Sequence, residues 1–367
     1  VETSSIKVNY KDLVHSVDVG SQISVDNGLI NFKVLSKDSE TLLCKVLHGG
    51  KLGSKRHVNL PGVRINLPSI TSKDIEDINF GIKYNVDFIA ASFVRNKNDL
   101  EILDEILKNK QSQIKIIAKI ENHDGLNNID EICQMAWGVM VARGDLGIET
   151  SLTDLPNIQR KIMFACAKWG RRSIVATHLL ESMINNPTPT RAEVTDIANA
   201  IYEGADAVML SGETGVGKYP EDCVKFLKSI SNKTEKFKTL GYQKNLITES
   251  DWEYIAVAAK NLAESINADG IIAVTRTGAT AYFISNSKPD GIPVFTFTNN
   301  ISTLKQLSLV GSTLSFYTPR LNNHEKTLKV AKKVLNDYFK KKNNLKFIMV
   351  SGIFSEDHSE AIQIINF

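Results

Sequence analysis

Lys119 and Glu121 stand two residues apart at the end of an apolar run, Ile114 to Glu121. On a strand that spacing puts both side chains on one face. Four further apolar runs also close on polar residues: Ser92-Phe93-Val94-Arg95, Arg143-Gly144-Asp145, Thr177-His178 and Ser211-Gly212-Glu213. Carboxylates from neighbouring strands, Glu121 and Asp145, suit a hard cation with oxygen ligands. Magnesium is favoured, because it keeps waters and accepts substrate oxygens at its remaining positions. A lysine beside such a cation can hold a phosphoryl group and neutralise its charge during transfer. The bland reading is a buried Lys–Glu pair at a rim. Gly144 and Gly147 flank the start of a helical turn whose bare N–H groups suit an anion, or form a plain turn. Thr177 reads as a proton donor or acceptor beside substrate, or as strand-end packing. Ser211 and Glu213 read as a proton path or as residues ordering the rim. No second histidine stands at metal-ligand spacing from His123 or His178. Gly212 to Lys218 has the spacing of a phosphate loop, but Tyr219 occupies the position that loop needs for Ser or Thr, so that reading is set aside.

These residues need a scaffold that gathers strand ends. The runs Phe88–Phe93, Ile114–Glu121, Gly138–Arg143, Ser173–Thr177 and Ala207–Ser211 recur every 24 to 35 residues or so. Each is mostly continuous in hydrophobicity, as expected of a strand buried on both faces. A (β/α)8 TIM barrel spends about 31 residues on each unit and places its active site at the strands' C-terminal ends. Helices fill the intervals. Ile158, Ile162 and Trp169 share helical spacing before Gly170. Thr190 and Glu193 form a capping box after Pro187 and Pro189, and that helix runs to Gly204. Five such strands are visible where a closed barrel needs eight; the preferred reading places the first three ahead of Val1, leaving the barrel incomplete in this chain.

The flanking stretches differ in texture. Residues 1–66 are turn-rich and strand-like, with Asp26-Asn27-Gly28 a tight-turn signal, and read as a small all-β module inserted into the barrel. Residues 67–238 hold the barrel units. Residues 239–367 alternate helices (Trp252–Asn267, Glu325–Lys341) with strands (Ile271–Thr275, Val294–Thr298, Phe347–Ser351, Ile362–Phe367), an α/β domain with a mostly parallel sheet.

Composition narrows the field. The 367 residues are 42% hydrophobic and 23% charged, with 44 basic against 41 acidic side chains. That balance speaks against nucleic acid as a partner. No apolar run reaches the roughly 20 residues that span a bilayer, so no membrane is expected. Cys44, Cys133, Cys166 and Cys223 are far apart, against a zinc ribbon or disulfide scaffold and in keeping with a reducing compartment. The cytosol is the default location, with a plastid as the alternative.

The chain resembles the pyruvate kinase family over essentially its whole length. The likeness is carried by Gly53-Ser54-Lys55-Arg56-His57-Val58-Asn59-Leu60-Pro61-Gly62, Ile117 to Gly125, Met140 to Gly147, Ala176 to Met183, Pro189 to Glu193 and Val208 to Thr214. It implies a β-barrel-like lid inserted into a (β/α)8 barrel, followed by an α/β C-terminal domain. It implies phosphoryl transfer from phosphoenolpyruvate to ADP, giving pyruvate and ATP. Lys119 would stabilise the transferring group. Glu121 and Asp145 would bind Mg2+ or Mn2+. Gly144, Asp145 and Thr177 would hold the substrate carboxylate, and Arg56, where the family has lysine, would meet the nucleotide. K+, with ligands outside this chain, and a homotetramer are also implied. The alternatives are an inactive regulatory relative and another barrel enzyme handling pyruvate or its enolate. Asn27, His178 and the Thr275-to-Thr280 loop depart from the family pattern. Acidic residues in the final loop, Ser351 to Asp357, predict no activation by fructose 1,6-bisphosphate.

Overall fold

The computed structural model describes residues 5–26, 28–63, 68–319, 324–340, 344–351 and 361–367. Asn27 and most of the final acidic loop, residues 352–357, lie outside them. Three sheets organise the described residues. The first is antiparallel: β1 (Gln22–Val25), β2 (Ile30–Lys37), β3 (Leu42–His48) and β4 (Val58–Asn59), in the order β3-β2-β1-β4. Val25 faces Ile30 across the tight turn, which Asp26 enters with a left-handed φ of 55°. Alternation along β1 and β2 buries Val25, Ile30 and Val34 with Val17 and Leu60 in a small core of their own.

The second sheet is parallel, with its strands in chain order: β5 (Phe88–Ala91), β6 (Lys115–Ile120), β7 (Gly138–Ala142), β8 (Arg172–Ala176) and β9 (Ala207–Met209). Helices Lys97–Asn109, Ile129–Met135, Leu155–Lys168, Arg191–Tyr202 and Pro220–Thr234 fill the connections and their outer ends. The alternation of each strand splits the core. Ala118, Ile120, Val139, Val141 and Val175 pack with helix residues such as Leu100, Leu103, Ile132 and Ile162. Ile117, Met140, Ile174 and Ala176 form a separate cluster on the other face. Every residue of β7 and β8 is buried, as continuous apolarity predicts. β5 and β9 are only half-buried, because each has a neighbour on one side alone among the described residues. The expected capping box holds: Thr190 Oγ1 accepts from the Glu193 amide and Glu193 Oε2 accepts from the Thr190 amide. Gly170 and Gly204 close their helices in left-handed conformations.

The third sheet runs β12-β11-β10-β13-β14, built from β10 (Gly270–Val274), β11 (Val294–Thr298), β12 (Thr313–Tyr317), β13 (Lys346–Ser351) and β14 (Ala361–Asn366). All pairings are parallel except β13 with β14. β12 has no counterpart among the expected strands; it is an edge strand whose short Thr-Leu-Ser-Phe-Tyr alternation stays partly exposed and so carries a weak apolar signal. Helices Asp251–Ser265 and His324–Tyr338 stand close to their expected bounds and pack into two different cores.

A buried polar junction ties the second sheet to the third. Asp206, next to β9, accepts from the Ser173 amide at 2.8 Å, from Lys288 Nζ at 2.6 Å and from the Gly311 amide at 3.0 Å. Arg172 at the start of β8 bonds the Asn286 side chain and lies over the rings of Trp137 and Tyr282. All four cysteines are free.

Candidate active site at the strand ends

The predicted polar residues gather where β5 to β9 end. Lys119 and Glu121 do share a face, and Lys119 Nζ lies 2.8 Å from Glu121 Oε1. Glu121 is 1% exposed, so its charge must be compensated locally. Its other oxygen, Oε2, accepts the Phe93 amide at 2.6 Å. Lys119 also donates to Ser92 Oγ at 2.7 Å. Beyond Glu121 the chain turns away, because Asn122 caps a short helix, His123–Asn127, through the Gly125 amide.

β7 supplies the second carboxylate. Pairing of Ile120 with Val141 places the end of β6 beside the end of β7, and the helix Arg143–Glu149 begins there with Asp145 in its first turn. Gly144 N–H donates to Thr177 Oγ1 at 2.8 Å, so the backbone amide and the hydroxyl proposed as carboxylate partners already touch. A side chain at position 144 would meet Thr177 at 3.6 Å.

Thr177 and His178 both have left-handed backbones, φ 68° and 55°. That is uncommon for a β-branched residue and has to be held in place. Buried Arg143 does so. Its Nη2 donates to Thr177 O at 2.6 Å, and its Nη1 reaches both oxygens of Asp196 at 2.8 and 2.7 Å. Neither Arg143 nor Asp196 carries a functional role in the sequence pattern. The available signal was an arginine closing a fully apolar strand, which demands a counter-charge.

Of the two readings of Ser211 and Glu213, a proton path or residues ordering the rim, the hydrogen bonds bear on the second. Glu213 is fully buried, and its oxygens accept the Leu180 amide at 3.0 Å and the Ser211 amide at 2.8 Å. Its carboxylate therefore braces the segments after β8 and β9. Arg56 lies between β3 and β4 and pairs with Asp26 at 3.4 Å; no described contact joins it to the strand-end cluster. A cavity of about 890 Å³ lies beside β5, with His57, Asn59, Ser92, Phe93 and Glu149 in its lining. Burial pushes the Glu149 carboxyl above its ordinary range, against the pull of His123 and the Gly62 amide.

Among the described residues no group of three or more His, Cys, Asp or Glu side chains is arranged to hold a metal. Glu121 and Asp145 stand at the ends of neighbouring strands; one or two carboxylates, with water and substrate oxygens completing the shell, is the donor set magnesium takes. It does not fit a closed zinc or calcium cage. No helix of the described residues is long and apolar enough to cross a membrane.

Comparison with known proteins gives a consistent answer. Residues 1–224 match the family model "Pyruvate kinase, barrel domain" and residues 253–365 match "Pyruvate kinase, alpha/beta domain". A pyruvate kinase of Staphylococcus epidermidis is 43% identical over 309 residues, covering 83% of this chain and 53% of the relative. One from Staphylococcus aureus is 44% identical over the same shares. The chain thus spans about half the length of these relatives. The crystal structure of a pyruvate kinase from Cryptosporidium parvum superposes with a TM-score of 0.89 at 33% identity, covering 97% of this chain and 74% of that one.

Proposed function

The chain belongs to the pyruvate kinase family, and on that premise we propose that it transfers a phosphoryl group from phosphoenolpyruvate to ADP, yielding pyruvate and ATP. The observation that carries this reading is the Lys119–Glu121 pair, 2.8 Å apart at the end of β6 and next to the strand end that presents Asp145. In the reaction the bond from phosphorus to the enol oxygen breaks and a bond to the terminal phosphate oxygen of ADP forms. The enolate then takes a proton at its methylene carbon. Charge builds on the migrating group, and the Lys119 ammonium is placed to neutralise it.

Glu121 and Asp145 would hold Mg2+ or Mn2+, which supplies Lewis-acid stabilisation of the phosphoryl oxygens when bound. Gly144 N–H and the Thr177 hydroxyl, already in contact, would open to receive the substrate carboxylate. Arg143 and Asp196 hold the Thr177 backbone in register for that task. Arg56 would meet the nucleotide after release from Asp26. Ser211 and Glu213 keep the rim ordered. K+ as a further requirement, a homotetrameric assembly and a cytosolic location belong to the same proposal.

The test is an assay of ATP formation from phosphoenolpyruvate and ADP with Mg2+, comparing the natural protein with Lys119→Met. Turnover should fall by about three orders of magnitude or more, with near-ultraviolet circular dichroism unchanged. Near-normal ATP production by the variant would overturn the assignment.

A further inference from the structure

Ser92 is exposed and lies one residue past β5, yet its hydroxyl is the acceptor for Lys119 Nζ at 2.7 Å. Its neighbour Phe93 gives its amide to Glu121 Oε2 at 2.6 Å. Two consecutive residues of one strand end therefore grip both members of the Lys119–Glu121 pair on the next. The grip has a conformational cost: Phe93 has a φ of 53°, an uncommon state for a bulky residue. Such strain persists only where surrounding structure imposes it.

We propose that Ser92 is a positioning residue that holds the Lys119 ammonium in place independently of Glu121. The proposal rests on the reading of this site as a phosphoryl-transfer centre. Glu121 Oε2 accepts a fixed backbone amide, that of Phe93, whereas Oε1 faces the mobile Lys119 ammonium, so Oε1 is the oxygen more readily freed for a divalent cation. A flexible ammonium with a single strong acceptor would compete with the cation for that oxygen or swing out of line once displaced. A hydroxyl on the adjacent strand is a second acceptor that takes no ligand from the cation. It lets the ammonium give up Oε1 and stay at the strand end.

The test compares Ser92→Thr, which keeps the hydroxyl, with Ser92→Val, the isostere of threonine without one, in the intact protein. Turnover with phosphoenolpyruvate and ADP is one readout. The other is Mn2+ binding without substrates, followed by electron paramagnetic resonance of the free ion. The Thr variant should stay within about twofold of the natural protein in both. The Val variant should lose about 10- to 100-fold in kcat, with KM for phosphoenolpyruvate within about threefold, as expected when a reacting group is misplaced while substrate binding is kept. Its Mn2+ dissociation constant should rise about 3- to 10-fold, because the ammonium then leans on Glu121 alone. In a Lys119→Met background the two variants should bind Mn2+ equally. A Val variant that matches Thr in turnover, or a Thr–Val difference in Mn2+ affinity that persists without Lys119, overturns the proposal. If the natural protein forms no ATP, the proposed function fails, and the Mn2+ comparison alone decides the role of Ser92.

Discussion

At the scale of single residues, the strand-end site is organised by charges that have few alternatives. Arg143 is 8% exposed, and its guanidinium divides between Asp196 and the carbonyl of a strained Thr177. Breaking a buried pair by neutralising one partner leaves an uncompensated charge. Asp196 is partly exposed, so water recovers some of that cost. Asp196→Asn should lower stability by about 2 kcal/mol, read from urea unfolding. It should also lower turnover about 10-fold, because Thr177 loses its fixed placement. An unchanged turnover would remove Asp196 from the chain of support. The strand-end placement of Lys119, Glu121, Asp145 and Thr177 was legible in the sequence because polar residues ending apolar runs stand out. The role of Ser92 was not, since a serine at a strand end has no pattern that distinguishes it until the lysine partner is seen in space.

At the scale of elements, periodicity and end signals did most of the locating. Continuous apolar runs marked β5 to β9, and the Thr190–Glu193 pair marked the start of helix Arg191–Tyr202. One edge strand, β12, escaped, because its short, partly exposed alternation dilutes the pattern. The capping box also does more than end a helix. Glu193 reaches back to the Ser182 amide at 2.7 Å and hydroxyl at 2.6 Å, joining the helix to the short 3₁₀ segment Glu181–Ile184 that follows Thr177. Thr190→Ala should cost about 1 kcal/mol, the usual value of an N-cap. Glu193→Ala should cost about 2 kcal/mol, since it removes two further bonds to Ser182. Thermal unfolding of the two variants checks the order, and equal losses would mean that the Ser182 tie contributes nothing.

At the scale of the whole molecule, Asp206 is the point where the second and third sheets meet. Burial would raise its carboxyl, but the charges of Lys288 and Arg172, with hydrogen bonds from Lys288 and Ser173, outweigh it and hold the group below the ordinary range of an aspartate. A folded-state pKa below the unfolded one stabilises above the unfolded pKa, and that stabilisation is lost as pH falls through the folded value. The junction should therefore be at full strength at pH 7 and weaken below about pH 4. Asp206→Asn should cost about 3 kcal/mol at pH 7, with a smaller gap to the natural protein at about pH 3. Denaturant titrations at both pH values check this, and a gap independent of pH would assign the loss to packing. The residues around the junction also include Gln306, whose side chain donates to Gln113 O at 2.9 Å across the same divide. One consequence concerns the peptide link itself. A protease site engineered between residues 239 and 250 would sever the backbone, yet the two fragments should still coelute on a sizing column at neutral pH. They should part only below about pH 4, where the Asp206 contacts weaken, making the covalent connection dispensable while those contacts persist.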